Sequence, residues 1–107
     1  MLFRALPQAQ ATELGSSITG YSLSPNLNPY TVVTGAIIDT RASGNSGISG
    51  EHGTTWTLTN NGAIYAGDFA LEFGDPATVV NNGTFLSPVT TALALFGGAS
   101  VTKGSEL

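Results

Sequence analysis

The sequence predicts an all-β fold, a parallel β-solenoid of about three coils near 21 residues each, and three observations carry that expectation. The first is a repeat. Thr57-Leu58-Thr59-Asn60-Asn61-Gly62-Ala63-Ile64 returns 21 positions later as Thr78-Val79-Val80-Asn81-Asn82-Gly83-Thr84-Phe85, and Gly104 lies another 21 on. A fixed period of about 20 residues, with strand-forming residues running into Asn-Gly, marks a chain wound in coils. The second is alternation: Trp56 and Leu58 interleave with Thr55, Thr57 and Thr59, the two-residue period of a strand with one buried face. The third is composition, rich in Gly, Thr, Asn, Ala and Val, which suits strands separated by tight turns. An Asn-Gly is also a hairpin signal, yet a hairpin accounts for one such pair and not for two in the same phase with matched flanks.

A 21-residue coil at ~3.3 Å per residue runs about 70 Å around, room for two or three short strands and their corners. Coils stacked ~4.8 Å apart pair each strand with its counterparts above and below. Equivalent residues then form columns.

Residues 1–29 read as an irregular N-terminal arm. Within it, 1–11 carry one charge, Arg4, and end in the small-x-small string Ala9-Gln10-Ala11, which reads either as the tail of a signal peptide or as an ordinary Ala-rich arm. Ser24-Pro25-Asn26-Leu27-Asn28-Pro29 is a turn cluster. The repeat region is set at 30–107. Tyr30-Thr31-Val32-Val33-Thr34 opens it as a β-branched strand ended by Gly35, and Ile37 and Ile38 follow. A Gly/Ser/Asn-rich loop covers Arg41 to Gly47. The best coil begins at Thr55. Asn61-Gly62 breaks its first strand, Gly through its tolerance of positive φ and Asn through its tolerance of the left-handed region. Ile64 resumes the inward side. Phe69, Leu71 and Phe73 then alternate with Ala70 and Glu72 before the corner at Gly74-Asp75-Pro76.

The next coil repeats the plan, with Val79 for Leu58, Phe85 for Ile64, and Thr91, Leu93 and Leu95 as the second alternating strand after a one-residue slip. The expected core is therefore Trp56, Leu58, Ile64, Phe69, Leu71, Phe73, Val79, Phe85, Leu93 and Leu95. The expected turn-and-ladder set is Asn60, Asn61, Gly62, Asn81, Asn82, Gly83 and Gly104, in which Asn60 over Asn81 and Asn61 over Asn82 form amide ladders, cap their own turns, or do both. Lys103 takes an Asn place and Glu106 an inward place in the unfinished last coil, which reads as an array interrupted at Leu107.

Bulk properties narrow the function classes. At 107 residues the chain is one domain or a piece of one. Three basic residues, in a chain only 9% charged, give no footprint for nucleic acid and no basic patch for an anionic membrane. With no cysteine, disulfides, thiolate metal sites and Cys nucleophiles are excluded. No apolar run approaches the ~18 residues of a transmembrane helix, so no membrane insertion by this segment is expected.

Candidate chemistry is sparse. A β-helical glycosidase would need acids stacked on successive coils, but Glu72 maps to Ala94 and Asp75 to Gly97, and neither Asp39 nor Asp68 has an acidic equivalent one coil on. His52, the sole histidine, makes no zinc site alone. Trp56 shares the phase of Leu58 and reads as core. Asn82-Gly83-Thr84 matches a glycosylation sequon but reads as a turn. An outward Thr array of ice-binding type starts at Thr55, Thr57 and Thr59 and is not continued by Pro76, Thr78 and Val80. No catalytic, cofactor or metal site is expected.

From about Tyr21 to Lys103 the chain resembles the repeat-bearing passenger of bacterial autotransporters. The residues that carry the likeness are Tyr21-Ser22-Leu23-Ser24 with Pro29, Thr34-Gly35-Ala36-Ile37, the run from Gly53 through Trp56 to Ile64, and Ala77 to Thr84. The resemblance implies a right-handed parallel β-helix, exported across the outer membrane and displayed at the bacterial cell surface as a non-enzymatic, adhesin-like module. Its implied partners are a host-surface or carbohydrate ligand, the rest of a longer passenger and a C-terminal membrane barrel. A second expectation, from another class, is the N-terminal part of a β-helical polysaccharide lyase or hydrolase, or of a phage tail protein.

Overall fold

A computed structural model describes residues 11–74, 76–87, 93–95 and 99–103, the last two segments by backbone alone. Gly104, Asp75, Gly97, Glu106 and the segment 1–10 lie outside the described residues.

The chain is a parallel β-solenoid of about three turns. Three full coils each contribute three strands in the same order: β3 (Tyr30–Val32), β4 (Ile37–Asp39) and β5 (Ile48–Gly50); β6 (Trp56–Asn60), β7 (Ala63–Tyr65) and β8 (Leu71–Phe73); β9 (Ala77–Asn81), β10 (Thr84–Leu86) and β11 (Leu93–Leu95). A shorter turn precedes them, made of β1 (Thr12–Leu14), an isolated bridge from Ser17 to Ile38, and β2 (Tyr21–Ser22). β12 (Ala99–Lys103) opens the next. Sheet A therefore runs β1-β3-β6-β9-β12, sheet B β4-β7-β10 and sheet C β2-β5-β8-β11. All the pairings are parallel. Backbone pairing thus runs between equivalent points of successive coils, and no hairpin occurs among the described residues.

The columns are those expected of the repeat. Leu58 lies over Val79 and Asn60 over Asn81 in sheet A. Ile38, Ile64 and Phe85 share one column of sheet B. Ile48, Leu71 and Leu93 share another in sheet C, beside Phe73 under Leu95. Lys103 does pair with Asn81. Coil length varies: Tyr30 pairs with Leu58, 28 positions on, whereas Leu58 pairs with Val79, 21 on.

The core is a single cluster inside the three sheets. Trp56 is fully buried, 6.2 Å from the Phe73 ring and 6.4 Å from Tyr30. Its indole N–H donates to the Glu51 carbonyl oxygen at 3.0 Å, so burial leaves no orphan donor. Its ring lies where a side chain at position 50 would stand: a Cβ on Gly50 would come within 2.5 Å of the indole. Leu58, Ile64, Leu71, Phe73 and Val79 are buried as expected.

Three expectations are corrected. Residues 12–29 are not an irregular arm, because they form the first turn of the solenoid, with Thr12 paired to Tyr30 and Tyr21 to Ile48. Phe69 is only half-buried, and Ala70 takes the buried place beside Leu71. Strand β8 begins at Leu71, so Phe69 sits in the corner, where two-residue alternation has no force. Phe85 occupies its inward register over Ile64 yet is half-buried, because β10 is the outermost strand of sheet B among the described residues. The side chains of Leu93 and Leu95 lie outside the described residues, although their backbone register over Leu71 and Phe73 is set.

Candidate ligand-binding cleft

Sheet C shows the outside world a polar face. Ile48, Gly50, Leu71 and Phe73 turn inward, so the period of two turns Ser22, Ser49 and Glu72 outward. Parallel register stacks these three residues in one column across β2, β5 and β8, ~4.8 Å per step.

Two insertions in the second coil wall this column. Eight residues (40–47) separate β4 from β5, against five (66–70) at the same corner one coil later, and five (51–55) separate β5 from β6, against three (74–76). The longer corner brings Gly44, Asn45 and Ser46 beside one lobe of about 430 Å³, whose floor is Ser22, Ser49 and Glu72. The other insertion brings Glu51 and His52 beside a second lobe of about 350 Å³ over the same three floor residues. The two lobes meet over these three residues, which line both, and are treated together as one cleft.

The first wall is pinned from below. Thr40 is fully buried, and its hydroxyl donates to the Asn45 carbonyl oxygen at 2.7 Å while accepting from the Gly67 N–H at 3.1 Å. The Asn45 side-chain amide donates to the Thr19 carbonyl oxygen at 3.1 Å, tying the loop to the turn below. Ser46 reaches the floor, its hydroxyl donating to Glu72 Oε1 at 3.0 Å. Gly20, at φ +86°, lies under this wall, and a Cβ there would meet the Gly47 and Ser46 carbonyl oxygens at 2.6 and 2.7 Å.

Acids outnumber bases in the cleft, where His52 is the one basic residue of the described lining. Glu51, Asp68 and Glu72 line it, and no Lys or Arg does. Arg41 is engaged elsewhere, in a two-bonded ion pair with Asp39 at 2.9 and 2.6 Å and over the Tyr65 ring at 5.0 Å. That hydrogen-bonded guanidinium holds the Asp39 carboxyl down from its usual 3.8 to about 2. The carboxylates of the cleft are spread along it. Among the described residues no three His, Asp or Glu side chains converge as a metal site would require.

No family model, no curated protein and no solved structure matches the chain.

The predicted turn-and-ladder set is a structural site, and the structure assembles most of it. Asn60, fully buried, donates through Nδ2 to Asn81 Oδ1 at 3.0 Å and to the Thr84 carbonyl oxygen at 3.2 Å, and its Oδ1 accepts from the Gly62 N–H at 3.1 Å. Asn81 Oδ1 accepts from the Gly83 N–H at 3.1 Å, and Asn82 donates to Asn61 Oδ1 at 2.7 Å. Ladder and turn cap therefore coexist. The reason given above for the glycines is corrected: neither Gly62 nor Gly83 has positive φ, and among the described residues no non-glycine does. Glycine is required because coils touch there. A Cβ on Gly62 would lie 2.5 Å from the Ala36 carbonyl oxygen, and one on Gly83 would collide with that of Gly62.

Sequence reasoning missed the cleft. Its elements lie in the poorly periodic first turn and in the loops at 41–47 and 51–55; the sequence singles out Glu72 and Asp68 only as catalytic acids and His52 only as a zinc ligand, and no motif in it draws the three together. The signal was available in the two insertions, since extra residues at two corners flanking one strand must both rise over that strand's outer face.

Proposed function

We propose that the chain is a non-enzymatic, adhesin-like β-helical module of the autotransporter-passenger kind, exported and displayed at the bacterial cell surface, where its coils present a ligand-binding cleft. The observation that carries this reading is the register of sheet C. The sole acid in the floor column, Glu72, has Ser49 and Ser22 in the coils before it and Ala94 in the coil after. An outward column of that make-up suits hydrogen-bonded recognition, whereas a glycosidic acid/base pair needs two carboxyl groups facing each other about 5–9 Å apart. The quoted resemblance supports export, as does a chain without cysteine, which passes an oxidising compartment without cross-linking.

The test is display. The chain is placed between a signal peptide and an outer-membrane barrel in a Gram-negative host, and intact cells are treated with external protease. Cleavage on intact cells, together with no release of reducing sugar from a polysaccharide panel, is the expected result. Retention inside the cell would sink the export reading. Turnover abolished by Glu72→Gln would replace the adhesin reading with the polysaccharide-acting one.

A further inference from the structure

We propose that the cleft over sheet C binds glycans built of amine-bearing sugars, namely hexosamine chains with protonated amino groups. This deepens the reading of the chain as a ligand-presenting module and is testable on the purified chain without export.

Three features of the cleft converge on that ligand. First, its hydrogen-bonding inventory is weighted towards acceptors. The Ser46 hydroxyl occupies Glu72 Oε1, and one of the two N–H groups of the Asn45 side-chain amide is committed to Thr19. The lining otherwise supplies the second Glu72 oxygen, the Asp68 and Glu51 carboxylates and the Ser22 and Ser49 hydroxyls. Sugar hydroxyls and ammonium groups are donors that match them. Second, the acids are distributed along the cleft. Asp68 lies in one lobe, Glu51 in the other, and Glu72 in the floor common to both. Spread carboxylates suit a polymer with a charge on each repeating unit and do not suit one compact cation. With three carboxylates against one histidine, His52, and no Lys or Arg in the lining, uronic, sialic and sulfated glycans meet mainly like charge.

Third, the described lining carries no Trp or Phe on which a sugar could stack, and its one Tyr is tied down. Tyr21, which lines one lobe, packs against the core and donates its hydroxyl to the Gly15 carbonyl oxygen at 3.0 Å. A neutral glycan therefore has only hydroxyl contacts to gain here, whereas an amino sugar adds charge-assisted bonds, the stronger class. The amine decides affinity, and the sugar hydroxyls on the Ser22–Ser49 column decide against a bare polycation.

The experiment titrates the folded chain, followed by backbone-amide NMR shifts, with three probes: a glucosamine tetramer, the N-acetylated tetramer and tetralysine. The glucosamine tetramer is expected to shift the amides of Ser22, Asn45, Ser49 and Glu72, and to bind about tenfold more tightly than either comparator, the worth of one charge-assisted bond or one pair of hydroxyl contacts. Glu72→Gln and, separately, Asp68→Asn are each expected to weaken it about tenfold, with an unchanged far-UV spectrum. Tetralysine binding as tightly would make this a site for basic peptides and overturn the proposal. So would equal binding of the acetylated tetramer, absence of shifts at the four amides, or indifference to both substitutions. Failure here with normal surface display retires the ligand alone, and binding without display retires the export reading alone.

Discussion

Asn60 shows how one polar side chain joins two coils. It is enclosed by sheet A with Val32 below it and Asn81 above, and each of its amide atoms has a partner. Replacing it by Leu, close in size, removes three hydrogen bonds and leaves the Gly62 N–H unpaired in the interior. The expected cost is about 1–3 kcal/mol, read as a lower urea midpoint at unchanged slope. Gly62→Ala is expected to cost a similar ~1–3 kcal/mol by overpacking against two backbone carbonyls, while Gly15→Ala, with nothing within 4 Å of the new methyl, should stay within about 0.5 kcal/mol. At this scale the sequence told which residues mattered at the turn and misled on why. Repetition flags Asn-Gly as constrained, but a positive φ and a neighbour too close to admit a methyl leave the same letter. Asp39 is a different case, invisible as a pair until the turn brought Arg41 back over it. Its carboxyl titrates near 2 in the folded chain and near 3.8 when free, so the unfolded chain takes up its proton first as pH falls. Its contribution is complete above about pH 4 and lost as pH drops through about 2. Asp39→Asn should flatten the acid limb of a stability-against-pH curve in that window and leave the neutral range unaltered in slope.

Among the elements, the corners carry the individuality and the strands carry the plan. The strands are short, three to five residues in the full coils, and each was legible where its alternation spanned at least one inward pair, as in Trp56 to Asn60. The first turn was not, because strands of three and two residues show no period, and because part of its bonding is made by a side chain. Asn28 donates to the Thr55 carbonyl oxygen at 2.9 Å and accepts from the Thr57 N–H at 3.0 Å, doing for β6 what a strand backbone would. The cleft walls are corners too, and their geometry depends on what they stand on. Thr40→Val keeps the shape of the buried side chain but removes the hydroxyl that fixes Asn45 and Gly67. The expected global cost is small, about 1 kcal/mol, since Gly67 N–H retains the Asn45 carbonyl oxygen at 3.1 Å. The larger effect should be local. Amide hydrogen exchange over 41–47 is expected to accelerate, while exchange in β6 and β7 stays as it was, and unaltered exchange in the loop would show that the wall is held by other contacts.

The whole molecule behaves as a one-dimensional stack, in which each coil rests on its two neighbours and stability accumulates coil by coil. That property makes register a quantity that can be tested by excision. Removing 58–78, one register repeat, joins Thr57 to Val79, which already occupies the column of Leu58. Asn81-Asn82-Gly83 then takes the place of Asn60-Asn61-Gly62, and inward residues remain inward. Removing 58–77 instead joins Thr57 to Thr78, a slip of one residue that turns Val79 outward and sets threonines against the core. The two deletions differ by one residue in length and hardly at all in composition. If pairing between equivalent points of the coils holds this chain together, the 21-residue deletion should keep its β-sheet circular dichroism and a cooperative, lower-temperature melt. The 20-residue deletion should lose both. A common fate for the two would mean that the core tolerates either face, which the full burial of Leu58 and Val79 against the exposure of Thr57 and Thr78 argues against.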